Sequence, residues 1–258
     1  MVFMRQLTVV VPTYNEADNL PALAEALWAL PVPDLRLLVV DDGSPDGTGE
    51  LALELGRSRP GAISVLHRPR KMGLGSAYIQ GFHEALRQGS ESVAQMDADF
   101  SHSPAHLTTF LEGLETADAV FGSRYVPGGS VDARWSIGRR WLSSFGNWYA
   151  REILRLRVRD ATGGFRVWRR ETLGGMPLER VRSEGYVFQV EMALLAQRLG
   201  YRIRELPIHF EDRRIGKSKM SFRIQVEAAT RVWQLLFLYR NLSPRDRRAS
   251  SPPDGRRP

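Results

Sequence analysis

Two aspartates, Asp97 and Asp99, stand two residues apart in the segment MDADFSH. At the end of a strand, carboxylates at that spacing can approach one hard cation together. Alternatively, one can hold the cation while the other holds a sugar hydroxyl. Mg²⁺ or Mn²⁺ suits such a pair, because these ions accept few protein carboxylates and take diphosphate oxygens alongside them. Ser101 stands where it could complete the shell. Two further polar segments could share the site: PTYNE (12–16) and DDGSPDGT (41–48). Asp41 and Asp42 are suited to a base edge or a ribose, while SPDGT also reads as a turn with caps. Lys71, Gly73 and Gly75 form a K-x-G-x-G loop at a helix start. It lacks the GKS/T of a P-loop, and no GxGxxG follows the first strand, so the loop alone does not specify a phosphate site.

The basic residues are concentrated. Between Arg124 and Arg159 there are eight arginines against Asp132 and Glu152, a local +6 in a chain of net charge +7. Such a cluster points to phosphate, an anionic membrane or nucleic acid. No helix-turn-helix, zinc or RNP pattern accompanies it, which argues against nucleic acid.

The elements that must position these residues alternate. Apolar runs at 7–11, 36–42, 62–67, 92–97 and 118–124 read as strands. Helical patterns lie between them at 18–29, 48–58, 75–87 and 103–114, the last opened by a Ser103-Pro104 cap. This alternation predicts an α/β fold with a mostly parallel sheet, whose ligands sit beyond the carboxyl ends of the strands. The three acidic segments all fall at such ends. After Arg124 the pattern changes. An amphipathic helix over about 136–154 places Trp141, Leu142, Phe145, Trp148 and Tyr149 on one face and Arg140, Ser143, Asn147, Arg151 and Arg155 on the other. A glycine turn, a strand at 165–168, a helix near 187–199, a strand over 202–210 and a helix over about 221–240 follow.

Composition narrows the function. The 258 residues, 43% hydrophobic and 25% charged, suit a single folded unit over 1–243, which the change of pattern after Arg124 divides into halves 1–124 and 125–243. The Pro-, Ser- and Arg-rich stretch 244–258 is expected to be disordered. The absence of cysteine excludes disulfides, thiolate metal sites and a cysteine nucleophile. No apolar run is long enough to span a bilayer, and the N-terminus reads as a first strand and not a signal peptide, which predicts the cytoplasmic face.

In order, VVVPTYNE, VVDDGSPDGT, KMGLGSAYIQGF, MDADFSHSP, GSRYVPGG, GGFRVWRRE, EGYVFQVEM and PIHFEDRRIGKSKMS resemble the pattern of the dolichol-phosphate (polyprenyl-phosphate) mannose synthases. These are inverting family 2 glycosyltransferases. The resemblance spans roughly 5–240, and its last two blocks are the most specific. It implies a GT-A fold, a Rossmann-like sheet flanked by helices, and transfer of mannose from GDP-mannose to a polyprenyl phosphate. It also implies a metal–diphosphate segment at Asp97, Ala98 and Asp99, with guanosine contacts at Pro12, Tyr14 and Glu16 and with Val39 and Asp41 beside the base or ribose. Acceptor-phosphate contacts are implied at Arg124, Arg139 and Ser143, and a cationic clamp at Arg213 and Lys219. Many relatives carry Gln where this chain has Ser101.

The residues agree with that chemistry. A phosphate monoester is already anionic near neutral pH, so it needs guidance and partial neutralisation instead of a strong general base. His102, His106 and His209 therefore read as structural. Helices 136–154 and 221–240 can lie at a membrane interface, giving a peripheral protein, alone or with a membrane anchor partner. Transfer of another sugar, such as glucose from UDP-glucose, keeps the same fold and mechanism. A nucleotidyltransferase would carry a Gly-rich, Arg-bearing loop where PTYNE stands. A non-catalytic basic binding protein is the remote alternative.

Overall fold

A computed structural model describes residues 6–212 and 222–248, with backbone only for 222–228. The elements run β1 (Leu7–Thr13), α1 (Leu20–Trp28), β2 (Leu35–Asp41), α2 (Thr48–Ser58), β3 (Ile63–His67), α3 (Leu74–Arg87), β4 (Ser92–Gln95), α4 (His106–Gly113) and β5 (Ala119–Ser123). Then come β6 (Ser130–Val131), α5 (Ile137–Leu154), β7 (Arg166–Arg169), α6 (Arg170–Gly175), α7 (Gly185–Arg198), β8 (Ile203–Pro207), β9 (His209–Phe210) and α8 (Phe222–Leu238).

Seven strands form one sheet in the order β3-β2-β1-β4-β7-β5-β8. Only β7 is antiparallel, inserted between β4 and β5. The near-continuous apolar strands follow from burial on both faces. Alternation divides their side chains between two layers. Val10, Leu38 and Val40 pack with Tyr78, Phe82 and Trp168 on one side. Leu7, Val9, Val11, Leu37 and Val39 pack with Phe110 and Phe165 on the other. Gly81 lets α3 lie close on the sheet, since a Cβ there would stand 2.3 Å from Val10 Cγ1. The chain order reverses between β1 and β4, so the loops after β1, β2 and β4 line one crevice at their carboxyl ends.

Several expected boundaries shift. The strand expected over 202–210 ends at Pro207, and Ile208 turns inward, donating its N–H to Ser123 O at 3.1 Å. The following β9 leaves the main sheet to pair with β6. The Ser103-Pro104 pair forms a turn, and α4 starts at His106 without a side-chain cap. The polar stripe of α5 is mixed, with Arg140 and Arg155 exposed and Ser143 and Arg151 half-buried. Asn147 is buried, donating to Arg159 O at 2.6 Å and accepting from Ala161 N at 2.8 Å. The aromatic stripe faces outward, with Ile137 87%, Trp141 65% and Trp148 52% exposed. Helix α8 packs beside α5 and adds Trp233 and Phe237 to this surface, and Trp233 Nε1 donates to Tyr149 Oη at 3.0 Å. Residues 243–248 of the C-terminal stretch are described and pack on the fold. Ser243 and Asp246 form a capping box, Arg247 lies over the Tyr201 ring, and Arg248 pairs with Glu179. Among the described residues, no helix is long and apolar enough to cross a membrane.

Candidate active site

Backbone donors stitch the loop after β1 to the loop after β2. Asn15 N donates to Ser44 Oγ (3.1 Å), Glu16 N to Thr48 Oγ1 (3.0 Å) and Ala17 N to Asp46 Oδ2 (3.1 Å). Asn15 sits at φ +62°, a left-handed conformation that Asn tolerates. The SPDGT segment is thus a turn that supports PTYNE. Asp41 is buried and accepts from Thr13 Oγ1 (3.0 Å), Ser44 Oγ (2.5 Å) and Ser44 N (3.1 Å), so its carboxylate is satisfied within the protein. Asp42 pairs with Arg68 at 2.6 Å, both nearly fully buried. Val39 is wholly inside the core, where it shapes the strand and its side chain offers no surface to a ligand. Pro12, Tyr14 and Glu16 remain partly accessible, and the Lys71 ammonium lies 4.3 Å above the Tyr14 ring.

The turn after β4 is strained and braced. Phe100, a bulky residue, adopts φ +60°. Ser101 N and Oγ both donate to Asp99 Oδ1, at 3.0 and 2.6 Å. Ser101 thereby orients the Asp99 carboxylate. Ala98 is buried beneath the turn. Tyr78 Oη, buried between the rings of Phe82 and Phe188, donates to Asp97 Oδ1 at 3.2 Å. His102 accepts from Asp97 N at 3.4 Å through Nδ1 and stacks on Phe165. Burial lowers its pKa, outweighing the nearby Asp97 and Asp99. It is a neutral, structural imidazole.

Among the described residues no cluster of three or more His, Asp or Glu could hold a metal by itself. The donor set is two carboxylates on a braced turn, and that fits Mg²⁺ or Mn²⁺, which share their shell with a diphosphate and water. Asp97 and Asp99 are the residues that would hold the ion.

The arginines divide by role. Arg124, expected to touch an acceptor phosphate, is buried and bidentate to Asp160, at 2.7 and 2.8 Å, with a third bond to Thr162 Oγ1 at 2.8 Å. Asp160 holds Arg124 cationic despite burial, and Arg124 keeps the buried Asp160 ionised. This pair secures the turn that leads into Gly163, whose N–H also donates to Asp160. Arg139 is better placed for a ligand. About a third of its side chain is exposed; it lies 3.9 Å over the Trp135 ring and donates to Asp212 Oδ1 at 2.9 Å. Ser143, one turn further along α5, shares a 3.0 Å hydrogen bond with Tyr125 Oη.

Phe210 joins the two sides. Its ring touches His102, Trp135 and the Arg124 guanidinium. Beyond it, Glu211 N donates to Ser101 O (3.2 Å) and Asp212 N to Asp132 Oδ2 (3.0 Å). The chain approaching Arg213 is thereby anchored between the Asp97–Asp99 turn and Arg139. Arg213 and Lys219 lie outside the described residues.

Asp160, Tyr78, Glu184 and Asp212 were missed as site residues. The motif blocks contain Tyr78, Glu184 and Asp212 but not Asp160, and only long-range contacts reveal the partners: Asp160 to Arg124, Tyr78 to Asp97, Glu184 to Gly75 and Asp212 to Arg139.

The family model for Glycosyl transferase family 2 matches residues 8–174. The chain is 45% identical over 244 residues to an undecaprenyl-phosphate mannosyltransferase of Micrococcus luteus, covering 94% of this chain and 99% of that protein. It is 45% identical over 214 residues to a polyprenol monophosphomannose synthase of Mycolicibacterium smegmatis, covering 83% and 80%. Among solved structures it resembles glucosyl-3-phosphoglycerate synthase from Mycobacterium tuberculosis in complex with Mn²⁺, UDP and glucosyl-3-phosphoglycerate. The TM-score is 0.63 at 18% identity, with 91% of this chain and 79% of that one covered. The same enzyme in complex with Mg²⁺ and UDP gives 0.62. With its mostly parallel sheet, its carboxylate pair at the switch point and these relatives, the chain belongs to glycosyl transferase family 2, with the polyprenyl-phosphate mannose synthases.

Proposed function

We propose that this protein transfers mannose from GDP-mannose to a polyprenyl phosphate with inversion, giving polyprenyl-phosphate-mannose and GDP. The observation that carries this reading is the bridge through Phe210 and Asp212. It links the braced Asp97–Asp99 turn, through His102 and Phe210, to the partly exposed Arg139 held by Trp135 and Asp212.

Pro12, Tyr14 and Glu16 form the guanosine side. Asp41 and Val39 shape that side from behind. Asp97 and Asp99 face the diphosphate, and a bound Mg²⁺ or Mn²⁺ supplies charge neutralisation for the departing GDP. The resemblance assigns Arg213 and Lys219 to a cationic clamp for the same diphosphate. Arg139 and Ser143 receive the acceptor phosphate, whose own oxygen attacks the anomeric carbon in line, opposite the leaving group. No general base is needed, because that oxygen is already ionised near neutral pH. Arg139 must orient the phosphate without over-stabilising it, since excess ground-state binding would blunt its nucleophilicity. Arg124 acts indirectly, through the turn it holds with Asp160.

The acceptor lipid is insoluble in water. The outward aromatic surface of α5 and α8 suits docking at the cytoplasmic face of a membrane, directly or beside a membrane anchor protein. The testing experiment offers labelled GDP-mannose, GDP-glucose or UDP-glucose with a short polyprenyl phosphate in detergent, with Mg²⁺, Mn²⁺ or EDTA. Metal-dependent, chloroform-extractable label from GDP-mannose alone is the expected result. Product from UDP-glucose would overturn the choice of sugar, and no lipid product from any donor would overturn the acceptor.

A further inference from the structure

The K-x-G-x-G loop finds its explanation in a carboxylate more than a hundred residues away. Helix α3 has no side-chain cap of its own, and Gly73 precedes it at φ +101°. Two of its orphan N–H groups are taken by Glu184, at the start of α7. Gly75 N donates to Glu184 Oε2 at 2.8 Å, and Ser76 N to Oε1 at 3.4 Å. A carboxylate at a helix N-terminus satisfies both the free donors and the helix dipole. The glycines make room for it. A Cβ on Gly73 would lie 2.3 Å from Glu184 Oε2, and one on Gly75 would lie 2.3 Å from Ser183 O. The position where a phosphate would sit in a P-loop is thus filled by the protein's own side chain.

The loop so held reaches the nucleotide side. Arg68 donates to Ser76 Oγ (2.6 Å) and to Gly73 O (3.3 Å), and pairs with Asp42. Met72 N donates to Asp42 Oδ2 at 3.2 Å. Lys71, between these anchors, lies over Tyr14.

We propose that Glu184 is a positioning residue for the donor: by latching the start of α3, it fixes the 68–76 loop so that Lys71 and Tyr14 form a preorganised wall for the nucleoside diphosphate. The inference rests on the reading of the loop after β1 as the donor side. It also assigns the EGYVFQVEM block a task, since its first residue links the acceptor half of the chain to the donor loop.

Two measurements on wild type, Glu184→Ala and Glu184→Gln test it. Amide hydrogen exchange of the free proteins reads the latch at Gly75 and Ser76. Calorimetric titration with GDP and Mg²⁺, together with steady-state kinetics, reads the donor site. In Glu184→Ala the two amides exchange faster, GDP affinity falls about tenfold, a change of about 1.4 kcal/mol, and KM for GDP-mannose rises with kcat unchanged. Glu184→Gln, which keeps one acceptor oxygen, falls between and covers the case in which the alanine variant does not fold. Unchanged exchange would overturn the latch. Faster exchange with unaltered GDP affinity would reduce Glu184 to a helix cap and overturn its positioning role. Failure of the wild type to bind GDP would overturn the donor reading, and this inference with it.

Discussion

Removing Trp141 should detach the protein from membranes without unfolding it. Trp141 is 65% exposed and stacks in parallel on Phe145, with ring centroids 5.2 Å apart, on the outer side of α5. A side chain of this size offers about 200 Å². On the order of 130 Å² is therefore free to leave water, worth about 3 kcal/mol at about 25 cal/mol per Å². Insertion to half that extent still contributes about 1.5 kcal/mol, a factor of about ten in partitioning. Trp141→Ala is accordingly expected to lower binding to anionic phospholipid vesicles by about ten- to a hundred-fold. The effect on thermal stability should stay within about 0.5 kcal/mol, because no core contact is lost. Trp148→Ala and Phe237→Ala should act in the same direction. Co-sedimentation with vesicles is the assay, with the melting temperature as control. Vesicle binding that matches wild type in all three variants would refute the membrane assignment of this surface.

Other expectations concern the crevice and the core. Asp99→Ala should reduce transfer by at least about two orders of magnitude and remove the metal dependence of GDP binding, measured by titration with and without EDTA. Arg139→Ala should raise KM for the acceptor about ten-fold or more, the worth of one charge-assisted hydrogen bond, while GDP affinity stays unchanged. Asp160→Ala leaves Arg124 buried without its counter-charge and should cost about 3–5 kcal/mol in denaturant unfolding. His102 and His106 are depressed by burial, so unfolded chains take up protons that the folded protein does not. Stability should therefore fall as pH drops from about 6.5 toward the lowered folded values, by up to about 1.4 kcal/mol per pH unit for each histidine. His102→Phe, which keeps the stack on Phe165, should lessen that slope in urea titrations between pH 7 and 5.

The first half of the fold was legible because each apolar run is short and bounded by Gly, Pro or Asp, which makes period and length agree. Helix 48–58 is found where its pattern placed it. The antiparallel insertion of β7 left no local mark, since RVWR has the same apolar character whichever way it runs. Helix α5 was legible as amphipathic, but which face turned inward was decided by Asn147, whose amide matches the backbone at 159–161. Composition suggests disorder over 244–258; of that stretch Pro244 and Arg247 pack at Gly200 and Tyr201, and 249–258 lie outside the described residues. In the site, residue types at strand ends disclosed the carboxylates. They could not disclose that Arg124 is occupied by Asp160, or that the glycines near Lys71 accommodate Glu184. Both are pairings across more than thirty residues, and charge alone does not assign partners.

The most direct test of the account is the structure of the product. Incubation with GDP-α-mannose and a short polyprenyl phosphate, followed by lipid extraction and NMR of the anomeric centre, reads donor, acceptor and stereochemistry together. In-line displacement by the acceptor phosphate predicts a β-linked mannosyl phosphate. An α-linked product would contradict single displacement, and mannose recovered without the lipid phosphate would contradict the proposed reaction itself.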